Sequence, residues 1–247
     1  GGAPMKSTVT KSILLLIVFV GAVLLQMKIA TAKEANVLTN KEQSIITIAG
    51  YTASGDIESL KTALPAGLEA GLTINEINEV LVQMYAYAGF PRSLNGINAF
   101  VEVLNNRKRQ GIDDIQGEAA TPLPNDINLQ TKGNATRNTL VGKDLTMNQA
   151  PYAQAAPVID KYLKEHLFGA IFARDTLSYK QREFATIGAL AAMHGTSAQL
   201  SSHLQVSLNV GITKEQLHSF TSLVSNTFGA DQGQIAEQAL KKVLHSN

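Results

Sequence analysis

Apolar side chains recur every three and four positions along most of this chain, and most of the runs open just behind a hydroxyl residue. Ile77, Val80, Leu81, Met84 and Ala88 form one such stripe, and Leu200, Leu204, Ser207, Leu208 and Gly211 another. That spacing lines one face of a helix. Thr39-x-x-Glu42, Thr73-x-x-Glu76, Ser178-x-x-Gln181, Thr196-x-x-Gln199 and Thr213-x-x-Gln216 all fit the capping box. In that motif the hydroxyl caps one free amide and the residue three positions on reaches back to another. Gly71 and Gly211 each stand two residues before a cap, where a left-handed glycine closes the preceding helix. The pattern predicts an all-α fold, with helices near 39–54, 57–70, 73–88, 91–106, 157–169, 178–194, 196–210, 213–228 and 231–245.

The helical pattern is written twice. Residues 38–100 match 177–239 once a single residue is inserted: Leu38, Lys41, Thr47 and Ile48 correspond to Leu177, Lys180, Thr186 and Ile187. One place later in register, Leu64, Leu68, Gly71, Thr73 and Gly89 correspond to Leu204, Leu208, Gly211, Thr213 and Gly229. The organisation expected is a first repeat over 33–106 and a second over 151–247, packed together. Residues 107–150 between them are polar, and Pro122 and Pro124 prevent one continuous helix. A stretch of that length is either a mobile linker or an ordered arm.

The copies differ in their polar residues. The second carries His203 where the first has Thr62, Ala63 and Leu64, and the first carries Asn78-Glu79 where the second has His218-Ser219. One repeat is therefore expected to supply an imidazole and the other a carboxylate to a shared hollow.

Composition narrows the classes. With 247 residues, 45% of them hydrophobic, the chain can bury one large core or two small ones. Its net charge of +1 becomes −2 without Lys6, Lys11 and Lys28, which gives no reason to expect nucleic acid as a partner. Those lysines belong to a distinct N-terminus. Gly1 to Pro4 resemble a tag remnant, Lys6 and Lys11 a basic n-region, Ile13 to Leu25 an apolar run, and Ala30-Thr31-Ala32 a small-residue cleavage site. Residues 1–32 thus read as a tag remnant and a secretory signal peptide cut after Ala32, which predicts a secreted or periplasmic protein. The apolar run falls short of the roughly 20 residues a spanning helix needs, so no stable membrane insertion is expected after cleavage. No cysteine is present, which removes disulfides, thiolate nucleophiles and cysteine-ligated metals, and no histidine-rich metal spacing appears.

Three segments together resemble the carboxymuconolactone decarboxylase family, whose relatives include alkylhydroperoxidase-like proteins. They are Glu79 through Pro91, Leu167-Phe168-Gly169 through Arg174 to Leu177-Ser178, and Gly195 through His203-Leu204 to Thr213. The resemblance implies two tandem alkylhydroperoxidase D-like helical units and assembly into homo-oligomers, with a trimer favoured. It also implies decarboxylation of a small carboxylated lactone or keto acid without cofactor or metal. The family's histidine maps onto His203, its Glu-Val-x-x-Gln stretch onto Glu79 and Gln83, and its arginine onto Arg174.

The residue chemistry fits those roles. Loss of carbon dioxide beside an unsaturated lactone needs the carboxylate held, its electrons drawn into the ring carbonyl and a proton delivered to carbon. An arginine grips both carboxylate oxygens, and a histidine exchanges a proton near neutrality. His203 is therefore assigned as proton donor or acceptor, Glu79 as its partner and Arg174 as carboxylate clamp. Gln83, Tyr87 and His194 are assigned to substrate binding. Ordinary structural roles compete: a half-buried histidine on a backbone carbonyl, a solvated Glu79, an Arg174 salt bridge to Asp175, a helix-end charge at His194. A non-catalytic binding or assembly protein on the same fold is the second functional reading. Hydroperoxide reduction is disfavoured because the cysteine pair it uses is missing.

Overall fold

The structure is a computed structural model that describes residues 20–22 and 37–246. The proposed tag remnant and signal peptide lie outside the described residues, apart from a helical turn at 20–22. A separate compact unit begins at Leu38. Among the described residues every regular element is helical: α1 (Asn40–Ser54), α2 (Ile57–Glu69), α3 (Ile74–Gln83), α4 (Tyr85–Ala88), α5 (Phe90–Arg109), α6 (Leu129–Val141), α7 (Pro151–Ala155), α8 (Pro157–Tyr162), a π-helical segment Leu163–Ile171, α9 (Tyr179–Ala192), α10 (Ser197–Asn209), α11 (Lys214–Phe228) and α12 (Ala230–His245).

Four of the five capping boxes form, at Thr39, Thr73, Ser178 and Thr213, each with both reciprocal bonds. The fifth does not. Thr196 has φ −113° and ψ 19°, and its hydroxyl donates to Leu190 O at 2.7 Å instead of capping α10. The helix expected over 73–88 is broken at Met84 into α3 and α4. The one expected to end at His194 stops at Ala192, where Met193 turns extended.

The first helices of the two repeats, α1 and α9, make the most extensive helix–helix contact in the molecule. Each is buried on several sides. Ile45, Ile46 and Ile48 of α1 and Phe184, Ile187 and Ala189 of α9 are all fully buried, and each large side chain contributes about 1.5–3 kcal/mol by leaving water. α2 and α5 pack on α1 as α10 and α12 pack on α9. The third helices cross over, so that α4 touches α9 and α11 touches α1. The duplicated halves therefore interlock, and α3–α4 of the first repeat is laid beside α9 of the second.

Residues 107–150 run as an arm along the helices. After α5, Ile115 and Gln116 offer carbonyls to the Ile74 and Asn75 amides at 2.9 Å, which pins the arm to the start of α3. Thr121 then binds Asp175 through amide and hydroxyl. The arm continues into α6, a helix that the polar sequence of this stretch conceals. α6 lies so close to the π-helical segment that a Cβ on Gly133 would strike Lys164 O and one on Gly169 would strike Leu129 O.

The α1–α9 crossing depends on Gly188, because a Cβ there would lie 2.5 Å from Ile46 O. Gly188→Ala gains helix propensity of up to about 1 kcal/mol but must push the helices apart. A net loss of about 1–3 kcal/mol is expected in urea unfolding; an unchanged or raised midpoint would show that the crossing is not tight.

Candidate functional site

α9 carries three charged side chains, and two of them, Arg182 and Glu183, are fully buried in a helix that is otherwise mostly apolar and small. A buried charge must find a partner, and each finds its own on a different side of the helix.

Arg182 faces the first repeat. Its Nη2 donates to Glu79 Oε2 at 3.0 Å and to Arg174 O at 2.8 Å, and its Nη1 donates to Gln83 Oε1 at 3.1 Å. Glu79 is held from its other side by Arg174, whose Nε and Nη2 donate to Oε1 at 2.9 and 2.6 Å. Burial alone pushes the Glu79 carboxyl up, but the bonds and charges of the two arginines outweigh it and leave it below the usual glutamate range. Gln83 in turn donates to Arg182 O and to Thr186 Oγ1, both at 3.0 Å. The Thr186 and Tyr87 hydroxyls lie 2.9 Å apart. Glu79, Gln83 and Tyr87 recur at four-residue spacing across α3 and α4, so one face of the first repeat meets α9 throughout.

Glu183 faces α10. Its Oε2 lies 2.9 Å from His203 Nδ1, while its Oε1 has no hydrogen-bond partner among the described residues. The His203 side chain is 16% exposed, and its ring meets the edge of Tyr87 with centroids 6.0 Å apart. Burial, then the negative charge of Glu183, pushes the Tyr87 hydroxyl well above its ordinary value, so it stays a neutral phenol. With Nδ1–H donated to Glu183, the second ring nitrogen, Nε2, is the one left for chemistry.

Several expectations are corrected by this geometry. The carboxylate partner of His203 is Glu183 from its own repeat, not Glu79. Arg174 clamps the protein's own Glu79, because the two side chains close on each other across the repeat boundary. Gln83 is fully buried and committed to Arg182 and Thr186, so it supports the site from behind rather than offering a surface to substrate. His194 stands past the end of α9, beside a separate cavity walled by Tyr51, Phe228 and Gln232. His203, Tyr87, Arg174 and Glu79 do belong to one connected network that spans both repeats. Arg182, Glu183 and Thr186 escaped the reading of the sequence. Their signal was a charged pair at the head of a mostly small and apolar run, Phe184 to Ala192, long enough to be buried on every side of a helix.

Two stretches of the chain, residues 21–102 and 157–237, match the model of the carboxymuconolactone decarboxylase family. The protein is a two-copy, all-helical member of that family. It is also similar to the uncharacterized protein MJ1511 of Methanocaldococcus jannaschii, 30% identical over 83 residues that cover 34% of this chain and 75% of the relative.

Glu79 links the repeats electrostatically, and its removal leaves Arg182 buried without its anion. Glu79→Gln is expected to cost about 3 kcal/mol or more at pH 7. Because the folded carboxyl lies below its unfolded value, its contribution is complete above about pH 4.3 and is lost as pH falls through the lowered value. The gap between parent and variant in urea unfolding should therefore close on acidification; a constant gap from pH 7 to pH 3 would deny the coupling.

Proposed function

We propose that this protein is an exported lyase that removes carbon dioxide from a small carboxylated lactone or keto acid, using side chains of its own as the catalytic groups. The reading is carried by the His203 imidazole held through Nδ1 on a buried carboxylate, an arrangement that presents a single, oriented nitrogen to a bound molecule. Family membership supports the class of reaction. Arg174, whose side chain is 44% exposed and whose Nη1 is not engaged with Glu79, is the cation available to a substrate carboxylate.

In this scheme the carbon–carbon bond to the carboxylate breaks, carbon dioxide departs, and the electron pair is delocalised onto the conjugated carbonyl oxygen. Tyr87, kept neutral, is the donor assigned to that oxygen in this reading. His203 Nε2 then delivers a proton to carbon and recovers one from water, so one proton is consumed for each carbon dioxide released. Glu183 holds the tautomer. The basic n-region, apolar run and small-residue site before residue 33 support export, and no helix among the described residues is long and apolar enough to cross a membrane. Exposed Phe90, Leu94 and Val101 on one side of α5 support assembly with further copies of the chain, for which a trimer is the favoured form.

His203→Gln and Glu183→Gln should each lower carbon dioxide release from carboxylated lactones by about 10²–10⁴-fold with circular dichroism unchanged. In heavy water the product should carry one deuterium, at the carbon of the conjugated system that takes the proton. Turnover in the folded variants equal to the parent's would remove the imidazole and its carboxylate from the reaction.

A further inference from the structure

The arm between the repeats reaches the Glu79–arginine cluster from outside both of them. It lies between the two stretches that match the family, 21–102 and 157–237. Two anchors fix a short span of it. At the start of α3, Ile115 O and Gln116 O accept the Ile74 and Asn75 amides, Gly117 O accepts from Asn75 Nδ2 at 2.9 Å, and Gln116 Nε2 donates to Asn75 Oδ1 at 2.8 Å. A little further on, Thr121 donates twice to Asp175, from its amide to Oδ1 at 2.8 Å and from its hydroxyl to Oδ2 at 2.6 Å. The span therefore ties the helix that carries Glu79 to the turn that carries Arg174.

Asp175 directly follows Arg174 in the chain, and the ordinary expectation is an ion pair between the two. The structure replaces it. Among the described residues the ion-pair partner of Arg174 is Glu79, and both oxygens of Asp175 are taken by Thr121. The Asp175 carboxyl is held below the usual aspartate range first by the Thr121 hydroxyl, then by its amide, and last by the charge of Arg174. Arg174 is raised first by its bonds to Glu79 and last by the charge of Asp175. The neighbours feel each other without bonding. An exposed ion pair contributes little, whereas hydrogen bonds to an ionised carboxylate are stronger than neutral ones, so Thr121 keeps the carboxylate. The consequence falls on Arg174: its Nε and Nη2 grip Glu79, its side chain is 44% exposed, and Nη1 stays clear of both acids.

We propose that Thr121 is a positioning residue, which by holding Asp175 keeps the free edge of Arg174 open to a carboxylate from solution. Released from Thr121, the Asp175 carboxylate competes with the incoming anion for that edge. The inference rests on the reading of Arg174 as the substrate clamp, and adds that a residue outside both repeats sets how tightly the clamp binds.

Calorimetric titration of the full chain with furan-2-carboxylate, against the neutral furan-2-carboxamide, tests it. The parent is expected to bind the carboxylate at least about tenfold more tightly than the amide. Thr121→Val removes one of the two bonds to Asp175 and should weaken carboxylate binding by about threefold; Thr121→Pro removes both and should weaken it by about tenfold. Asp175→Asn alone should not weaken binding, and added to either Thr121 variant it should restore the parent's affinity, a rescue that a merely structural arm would not give. Thr121 is exposed, so Thr121→Val decides the point even if Thr121→Pro misfolds. A preference for carboxylate that Thr121→Val leaves untouched, or a loss that Asp175→Asn does not repair, would overturn this inference alone. No preference in the parent would remove the clamp reading and this inference with it.

Discussion

A helix that is apolar on nearly every side has to be buried, and when such a helix also carries an arginine next to a glutamate, the rest of the molecule must supply their counterparts. α9 is that helix. Leaving either charge unpaired costs several kcal/mol, so the fold is constrained to bring Glu79 to Arg182 and His203 to Glu183. The first pairing joins the repeats and the second joins consecutive helices of one repeat. Their common origin on adjacent residues places the imidazole and the Glu79–arginine cluster on two sides of one rigid rod. Tyr87, which touches His203 by its ring and Thr186 by its hydroxyl, closes the gap between them.

Duplication explains why the rod is available. Two copies that pack through their first helices bury both of those helices at the centre, and each third helix crosses to the other copy. Such an arrangement generates two equivalent junctions. Only one kept a histidine, a buried glutamate and the arginine pair. At the other, Ser44 and Ala63 stand where Glu183 and His203 do, and Phe228 fills the space beside Gly50 that a Cβ would occupy. The chain therefore carries one candidate proton-transfer centre, built at one of the two junctions.

How much of this was legible depended on whether the determining contact was local. Capping boxes are four residues wide, so four of the five could be read directly. Thr196-x-x-Gln199 failed because Leu190 O, six residues back, captures the threonine hydroxyl. The apolar stripes located the helices and the repeat predicted their pairing. α6 was hidden because it packs through the absence of side chains at Gly133 and Gly169 rather than through an apolar stripe. Among the site residues, His203 and Glu79 were visible as differences between copies, yet a difference does not reveal its partner. Periodicity places Glu79 on a face without saying that Arg182, 103 positions away, lies opposite.

Formal charge shows why the two pairings behave as one site. Arg174 and Arg182 balance Glu79 and Glu183 when the imidazole is neutral, so the resting network carries no net charge. Glu183 is fully buried with one oxygen unpartnered, and Arg182 is fully buried with its Nε unpartnered; neither can be relieved by water from outside without opening the helix contacts. An anion bound at the exposed edge of Arg174 would tip the network negative, and the group able to restore neutrality by taking a proton without breaking a buried ion pair is His203. In the proposed reaction the carboxylate clamp and the proton donor thus belong to one set of charges that α9 holds in place, and substrate binding at one is felt at the other.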